Sequence, residues 1–169
     1  MRAVEQGAYG LPWRAEFVDE ILDMRERLEA SRSERDLKRG FGGIVDVEFL
    51  VQLFQIKHGR DSEQLRMPNT WRGLDALADA GLIESTAHQA LRAGYDFLRT
   101  VESRLRIFHN LSVDELPRDT EGLDKLARRL GFEPTAHKGP AALFSAELDA
   151  HTTRIRELFL QLLNRQRSV

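Results

Sequence analysis

The sequence contains no cysteine, which excludes disulfides, zinc–thiolate sites, iron–sulfur clusters and cysteine nucleophiles together. Proline and glycine are sparse, at 5 and 12 of 169 residues, so the composition is not that of a low-complexity or disordered chain. No apolar run approaches the roughly 20 residues that span a bilayer, and the N-terminus lacks the basic-then-apolar pattern of a secretory signal. These absences predict a cytoplasmic protein with no membrane partner. Charge of one sign is lacking too: a net charge of -2 argues against a nucleic-acid partner, which calls for a basic excess. What is present is 41% hydrophobic and 31% charged, the balance of a folded chain long enough for one core. We expect one domain over 1–169. Its parts are an irregular lead-in over 1–14, a first helix and connector over 15–35, a helical body over 36–165 and a frayed tail over 166–169.

Apolar residues at Phe17, Ile21, Met24 and Leu28 have the spacing of one helical face. The other side, with Glu16, Asp19, Glu20, Asp23, Glu26, Arg27 and Glu29, reads as a solvated surface. Residues 31–43 break this pattern, and Ile44 to His58 then runs apolar. That run alternates locally, so a buried strand is an alternative, but its length and its i, i+3, i+4 set favour a helix ended at Gly59. Asn69 or Thr70 can cap a short helix carrying Leu74 and Leu77 and ended by Gly81. From a cap at Ser85, Leu91, Tyr95, Leu98, Val101, Leu105 and Phe108 stripe a long helix to Asn110. Leu123, Leu126, Ala127 and Leu130 mark another before Gly131, and Pro140 opens a last long helix through Leu143, Leu148, Ile155, Leu158, Phe159 and Leu162. The predicted fold is all-α: an antiparallel helical bundle with two long helices, each about 37 Å, and shorter helices packed around them.

The chemistry concentrates in Asp36-Leu37-Lys38-Arg39-Gly40-Phe41-Gly42-Gly43-Ile44-Val45-Asp46-Val47-Glu48-Phe49-Leu50-Val51-Gln52. Glycines before a helix permit close backbone approach, the first turn offers free N–H groups, and Lys38 and Arg39 add positive charge, a combination able to hold phosphate. The bland reading is a glycine-rich turn, and no Walker loop is present. Asp46 and Glu48, two apart on a helix, point about 200° away from each other and do not share one ion. Asp46 can pair with Lys38 or Arg39 or face a neighbouring domain. The histidines at 58, 88, 109, 137 and 151 show no metal-ligand spacing, and His58 and His109 suit helix C-termini. Arg99, Glu102, Arg104 and Arg106 read as an exposed charge network, with an arginine row able to meet phosphate or an acidic partner as the alternative.

The glycine run resembles the motif that follows each nucleotidyltransferase core in the glutamine synthetase adenylyltransferase/adenylyl-removing enzyme family. Further similarity lies in Leu65-Arg66, Asn69-Thr70, Leu74 to Leu82, and Tyr95-Asp96-Phe97-Leu98-Arg99 with Glu102, Arg104 and Leu105. The helical domain of PII uridylyltransferase is similar more distantly. The resemblance implies a substrate-positioning and regulatory helical domain, resembling the C-terminal copy. It would follow a nucleotidyltransferase palm that uses ATP and Mg2+ to move AMP on and off a tyrosine of glutamine synthetase. It implies as partners that upstream palm, glutamine synthetase and the PII signalling protein. The palm's Gly-Ser turn and Asp-x-Asp metal carboxylates are absent, so this chain alone is expected to be inactive and to hold no cofactor or metal. By the same resemblance Lys38, Arg39, Gly40, Gly42, Gly43, Asp46 and Glu48 would face the palm and shape its nucleotide or substrate cleft. The alternative is a free-standing helical interaction module with no nucleotidyltransferase role.

Overall fold

The computed structural model describes residues 12–31, 33, 35–109 and 115–167. Among them the chain forms α1 (Glu16–Ala30), α2 (Ile44–His58), α3 (Thr70–Asp79), α4 (Ser85–His109), α5 (Thr120–Arg129) and α6 (Pro140–Arg165), with a single 3-10 turn at Glu63–Leu65. No strand occurs among the described residues, so the all-α expectation holds. An isolated antiparallel bridge joins Asp36 and Glu115, where the Leu116 N–H also donates to the Arg35 carbonyl at 3.1 Å. It ties the α1–α2 connector to the segment that follows α4. Residues 1–11 of the expected lead-in, Asn110 and the last two residues of the expected tail lie outside the described residues, as do the side chains of Phe108 and His109.

Local chemistry sets the helix ends. The Asn69 side chain accepts from the Arg72 N–H at 3.1 Å and starts α3, and Asp119, a cap that composition did not single out, accepts from the Gly122 N–H at 2.7 Å and starts α5. Pro140 stands in the first turn of α6, where its missing N–H costs nothing. The expected helices form, and their observed bounds are 44–58, 70–79, 85–109 and 140–165. α2 packs against α1, α3, α4 and α6, so it carries apolar residues on most of its sides, and that is why its sequence also read as a buried strand.

The two long helices run antiparallel: Glu84 meets Arg165 at 3.3 Å, Gly94 faces Ile155 and His151, and Phe97 stacks on His151 and lies against Phe144. Leu91, Leu98, Val101, Leu105, Ile155, Phe159 and Leu162 form the seam, joined by Phe144, which is fully buried.

α1 corrects the sequence reading. Met24, assigned to its apolar face, is 52% exposed, whereas Val18 and Arg25 are buried. Ile21 packs on the core as expected and Phe17 and Leu28 are half-buried, but the most deeply buried line runs through Val18, Leu22 and Arg25 to Glu29, rotated so that an arginine and a glutamate occupy positions where a core face would carry leucines.

His58 also departs from expectation. At the end of α2 its ring stacks on Phe54 at 6.0 Å, and burial, assisted by the neighbouring Lys57 charge, lowers its pKa below the usual 6.5. A helix-dipole role would have raised it. The folded state therefore resists protonating His58 while the unfolded chain does not, so this residue contributes stability above pH 6.5 that is lost as pH falls through its lower folded-state pKa. Thermal melts from pH 7 to pH 5 should show a smaller acid-side decline for His58→Leu than for the wild type, and parallel declines would contradict the assignment.

Candidate functional site at the glycine junction

The connector from Asp36 to Gly43 folds back on itself and caps α2. Asp36, buried at 6% exposure, accepts from the N–H groups of Lys38 and Arg39 at 2.9 and 2.8 Å and pairs with Arg39 Nε at 2.9 Å. Its carbonyl takes the Gly40 N–H at 2.9 Å. The Gly40 carbonyl takes the Gly43 N–H at 3.0 Å, the Leu37 carbonyl takes that of Ile44 at 3.2 Å, and the Lys38 carbonyl takes that of Val45 at 3.0 Å. The Asp46 N–H donates to the Gly43 carbonyl at 3.1 Å. The first-turn donors expected to be free for phosphate are thus already spent on the connector's own carbonyls. The glycine-rich turn is the reading the geometry supports, and an anion cradle made of backbone N–H groups is not.

Such a tight return leaves no room for side chains. Gly42 has φ +60, and a Cβ there would lie 1.7 Å from the Thr152 carbonyl oxygen of α6. A Cβ on Gly40 would lie 2.2 Å from the Asp36 carbonyl oxygen. Gly42 therefore lets the junction press against α6, while Gly40 lets the connector close on itself.

Beneath the turn lies an ionic network the sequence did not reveal. Asp46 is completely buried and pairs not with Lys38 or Arg39 but with two arginines. Arg25 of α1 donates from Nε to Asp46 Oδ1 and from Nη2 to the Gly40 carbonyl at 2.5 Å. Arg156 of α6 brings its Nε within 3.1 Å of Asp46 Oδ2, and its Nη2 donates to Glu29. Glu29 also lies 3.3 Å from Arg25 Nη1, so it is not part of a purely solvated face. Two carboxylates and two guanidiniums thereby join α1, the glycine turn, α2 and α6. Burial pushes the Asp46 carboxyl upward in pKa, and the charges of Arg25 and Arg156 pull against that shift. One signal was available in the sequence: Arg25 and Glu29 continue the i, i+4, i+7, i+11 series from Val18.

The remaining singled-out residues divide between two surfaces. Lys38 is half-buried and Arg39 exposed, both on the outer side of the turn. Phe41 beside them is 48% exposed, with the Arg156 guanidinium 5.0 Å from its ring centre. Glu48 points away from Asp46, as the helical spacing requires, and accepts from the Tyr95 hydroxyl at 3.2 Å. Next to the turn a cleft of about 210 Å³ opens between the connector, Leu116 and the Leu148–Thr152 stretch of α6. Among the described residues no group of three or more histidines and acids comes together to hold a metal, and no helix is long and apolar enough to cross a membrane.

A family model described as GlnD PII-uridylyltransferase matches residues 15–163. The chain is 37% identical over 161 residues to the bifunctional glutamine synthetase adenylyltransferase/adenylyl-removing enzyme of Nocardia farcinica, covering 90% of this chain and 16% of that protein. It is 37% identical over 155 residues to the enzyme of the same name from Mycobacterium leprae, covering 88% and 15%. With that of Streptomyces avermitilis the identity is 36% over 163 residues, covering 92% and 16%. The chain thus spans no more than 16% of the length of these curated relatives.

Proposed function

Because the chain belongs to the GlnD PII-uridylyltransferase family, we propose that it acts as a helical substrate-positioning and regulatory domain of an enzyme that adenylylates and deadenylylates glutamine synthetase. In this reading its glycine junction seats against a nucleotidyltransferase palm that these residues do not contain. The relatives at 36% to 37% identity carry that enzyme's name, which favours it over the uridylyltransferase branch. The observation that carries the proposal is the construction of the junction. Its backbone donors are satisfied internally, a buried four-residue ionic network holds it from beneath, and Lys38, Phe41 and Arg39, the last tied to Asp36, lie on its outer side. A surface so fixed suits one defined neighbour.

Within this reading ATP and Mg2+ belong to the palm. The junction lacks free N–H groups for a phosphate cradle, so it contributes charge and rigidity to the edge of the nucleotide or substrate cleft. Lys38 and Arg39 face the palm directly and supply positive charge beside a polyanionic substrate. Gly40, Gly42 and Gly43 set the shape, Asp46 holds it from within, and Glu48 orients Tyr95 on the next face. The PII protein is the regulatory partner, and the cytoplasm is the place of action.

The test is AMP transfer to glutamine synthetase by the full-length enzyme carrying Lys38→Ala and Arg39→Ala. Loss of a charge contact at the cleft edge should lower the rate about tenfold or more, equivalent to roughly 1.4 kcal/mol, with the protein still folded and a melting temperature lowered only by the lost Arg39–Asp36 pair. An unaltered rate in the folded double variant would refute the palm-facing role.

A further inference from the structure

A second surface, built on α3 and α4 rather than on the junction, has the composition of a recognition site. A shallow cleft of about 490 Å³ is lined by Trp71, Asp96, Arg99, Thr100, Ser103 and Arg104. Its parts are held in place. The Trp71 indole N–H donates to Asp96, and the ring meets Tyr95 edge-on at 4.9 Å. The Arg99 guanidinium lies 5.7 Å from the centre of the Trp71 ring. Its Nη1 is 2.9 Å from Glu102, a carboxylate with a side chain only 3% exposed that also takes Arg106 Nη2 at 2.8 Å. The expected solvated charge network on α4 is therefore corrected: its central acid is buried and fixes the arginines above it.

The charges on this face do not cancel. Asp96 is engaged by Trp71 and lies 3.5 Å from Arg92, and Glu102 is shared by Arg99 and Arg106. Arg104 lines the cleft, is exposed, and has no hydrogen bond or ion pair among the described residues. Its charge is left over. Lining residues from 96 to 104 extend the cleft along α4 by about 12 Å, the reach of three to four residues of extended chain. Arginine and tryptophan held rigid at a half-open surface are the residue types on which protein recognition energy concentrates, and a fixed guanidinium loses little entropy on meeting a carboxylate.

We propose that this face docks an extended, acidic segment of a partner protein, with Arg104 and Arg99 meeting its carboxylates and the Trp71–Arg99 platform carrying an adjacent apolar or aromatic side chain. The elongated, open form favours a peptide segment over a small enclosed ligand, and the unmatched cation sets the sign of the partner.

Fluorescence anisotropy of the full-length protein with a short labelled peptide of alternating glutamate and tyrosine tests this. The wild type should bind it at low ionic strength and lose it as salt rises. Arg104→Glu should weaken binding at least about tenfold, Arg104→Gln should weaken it less, and Arg118→Glu, on an exposed loop elsewhere, should not change it. All three variants should keep the wild-type melting temperature. No binding by the wild type, or equal binding by wild type and both Arg104 variants, would overturn the proposal. So would complete displacement of the peptide by inorganic phosphate or succinate at equal concentration, which would mark a small-anion site instead. None of these outcomes bears on the junction.

Discussion

Replacing Asp46 with alanine should lower the stability of the fold by about 3–5 kcal/mol, the cost of leaving buried charge without its counter-ion. Arg25 is only 1% exposed, and it would keep the Gly40 carbonyl and Glu29 as partners while losing the carboxylate that its Nε addresses. Arg156, with a side chain 12% exposed, would lose its contact on the same side. Urea unfolding read by circular dichroism measures the loss, and a loss below about 1 kcal/mol would mean that the network is not the clamp described here. A double variant gives the sharper reading. Arg25→Met combined with Asp46→Leu should cost less than the sum of the two single changes, because each single change strands a charge that the pair removes together.

Gly42→Ala should also be costly, since no side-chain movement can relieve it. At φ +60 any non-glycine residue is strained by roughly 1–2 kcal/mol, and at this position the new methyl would also sit 1.7 Å from the Thr152 carbonyl oxygen and 2.4 Å from its carbon. Either α6 moves or the connector does, and both carry arms of the ionic network. Gly131 provides the control: its φ is +91, yet a Cβ there meets nothing within 4 Å. Gly42→Ala should therefore exceed Gly131→Ala by at least about 2 kcal/mol in the same unfolding measurement, in the range of core overpacking. Equal losses would show that the junction is not pressed against α6.

Periodicity and punctuation carried most of the fold. The stripe from Leu91 to Leu105 and the glycines at 81 and 131 are local signals, and the helices they mark form where expected. The failures share a cause. Met24 and Arg25 are neighbours on α1, and hydrophobicity alone puts the first inside and the second outside. The structure does the reverse because Asp46 of α2 and Glu29 offer Arg25 a paired site across elements. Spacing from Val18 can turn Arg25 inward, but which acid it meets depends on how the helices pack in space. The same holds for Arg156, which reaches Asp46 only once α6 has packed on α2, and for Glu102, whose burial follows from how α4 packs. The glycine junction was visible as a place but not as a mechanism. Three glycines before a helix suggested open N–H groups, whereas the carbonyls of Leu37, Lys38 and Gly40 return to occupy them, a closure set by the Asp36 turn.

On the proposed function, the outer side of the glycine junction abuts a nucleotidyltransferase domain. Amine-reactive cross-linking of the full-length protein, with cross-linked peptides identified by mass spectrometry, tests it most directly, because Lys38 sits on that side of the turn. Lys38 should be found joined to lysines of the nucleotidyltransferase region, and the yield should drop when ATP and glutamine synthetase fill the cleft. Cross-links from Lys38 confined to this helical domain, with the protein folded and active, would contradict the account.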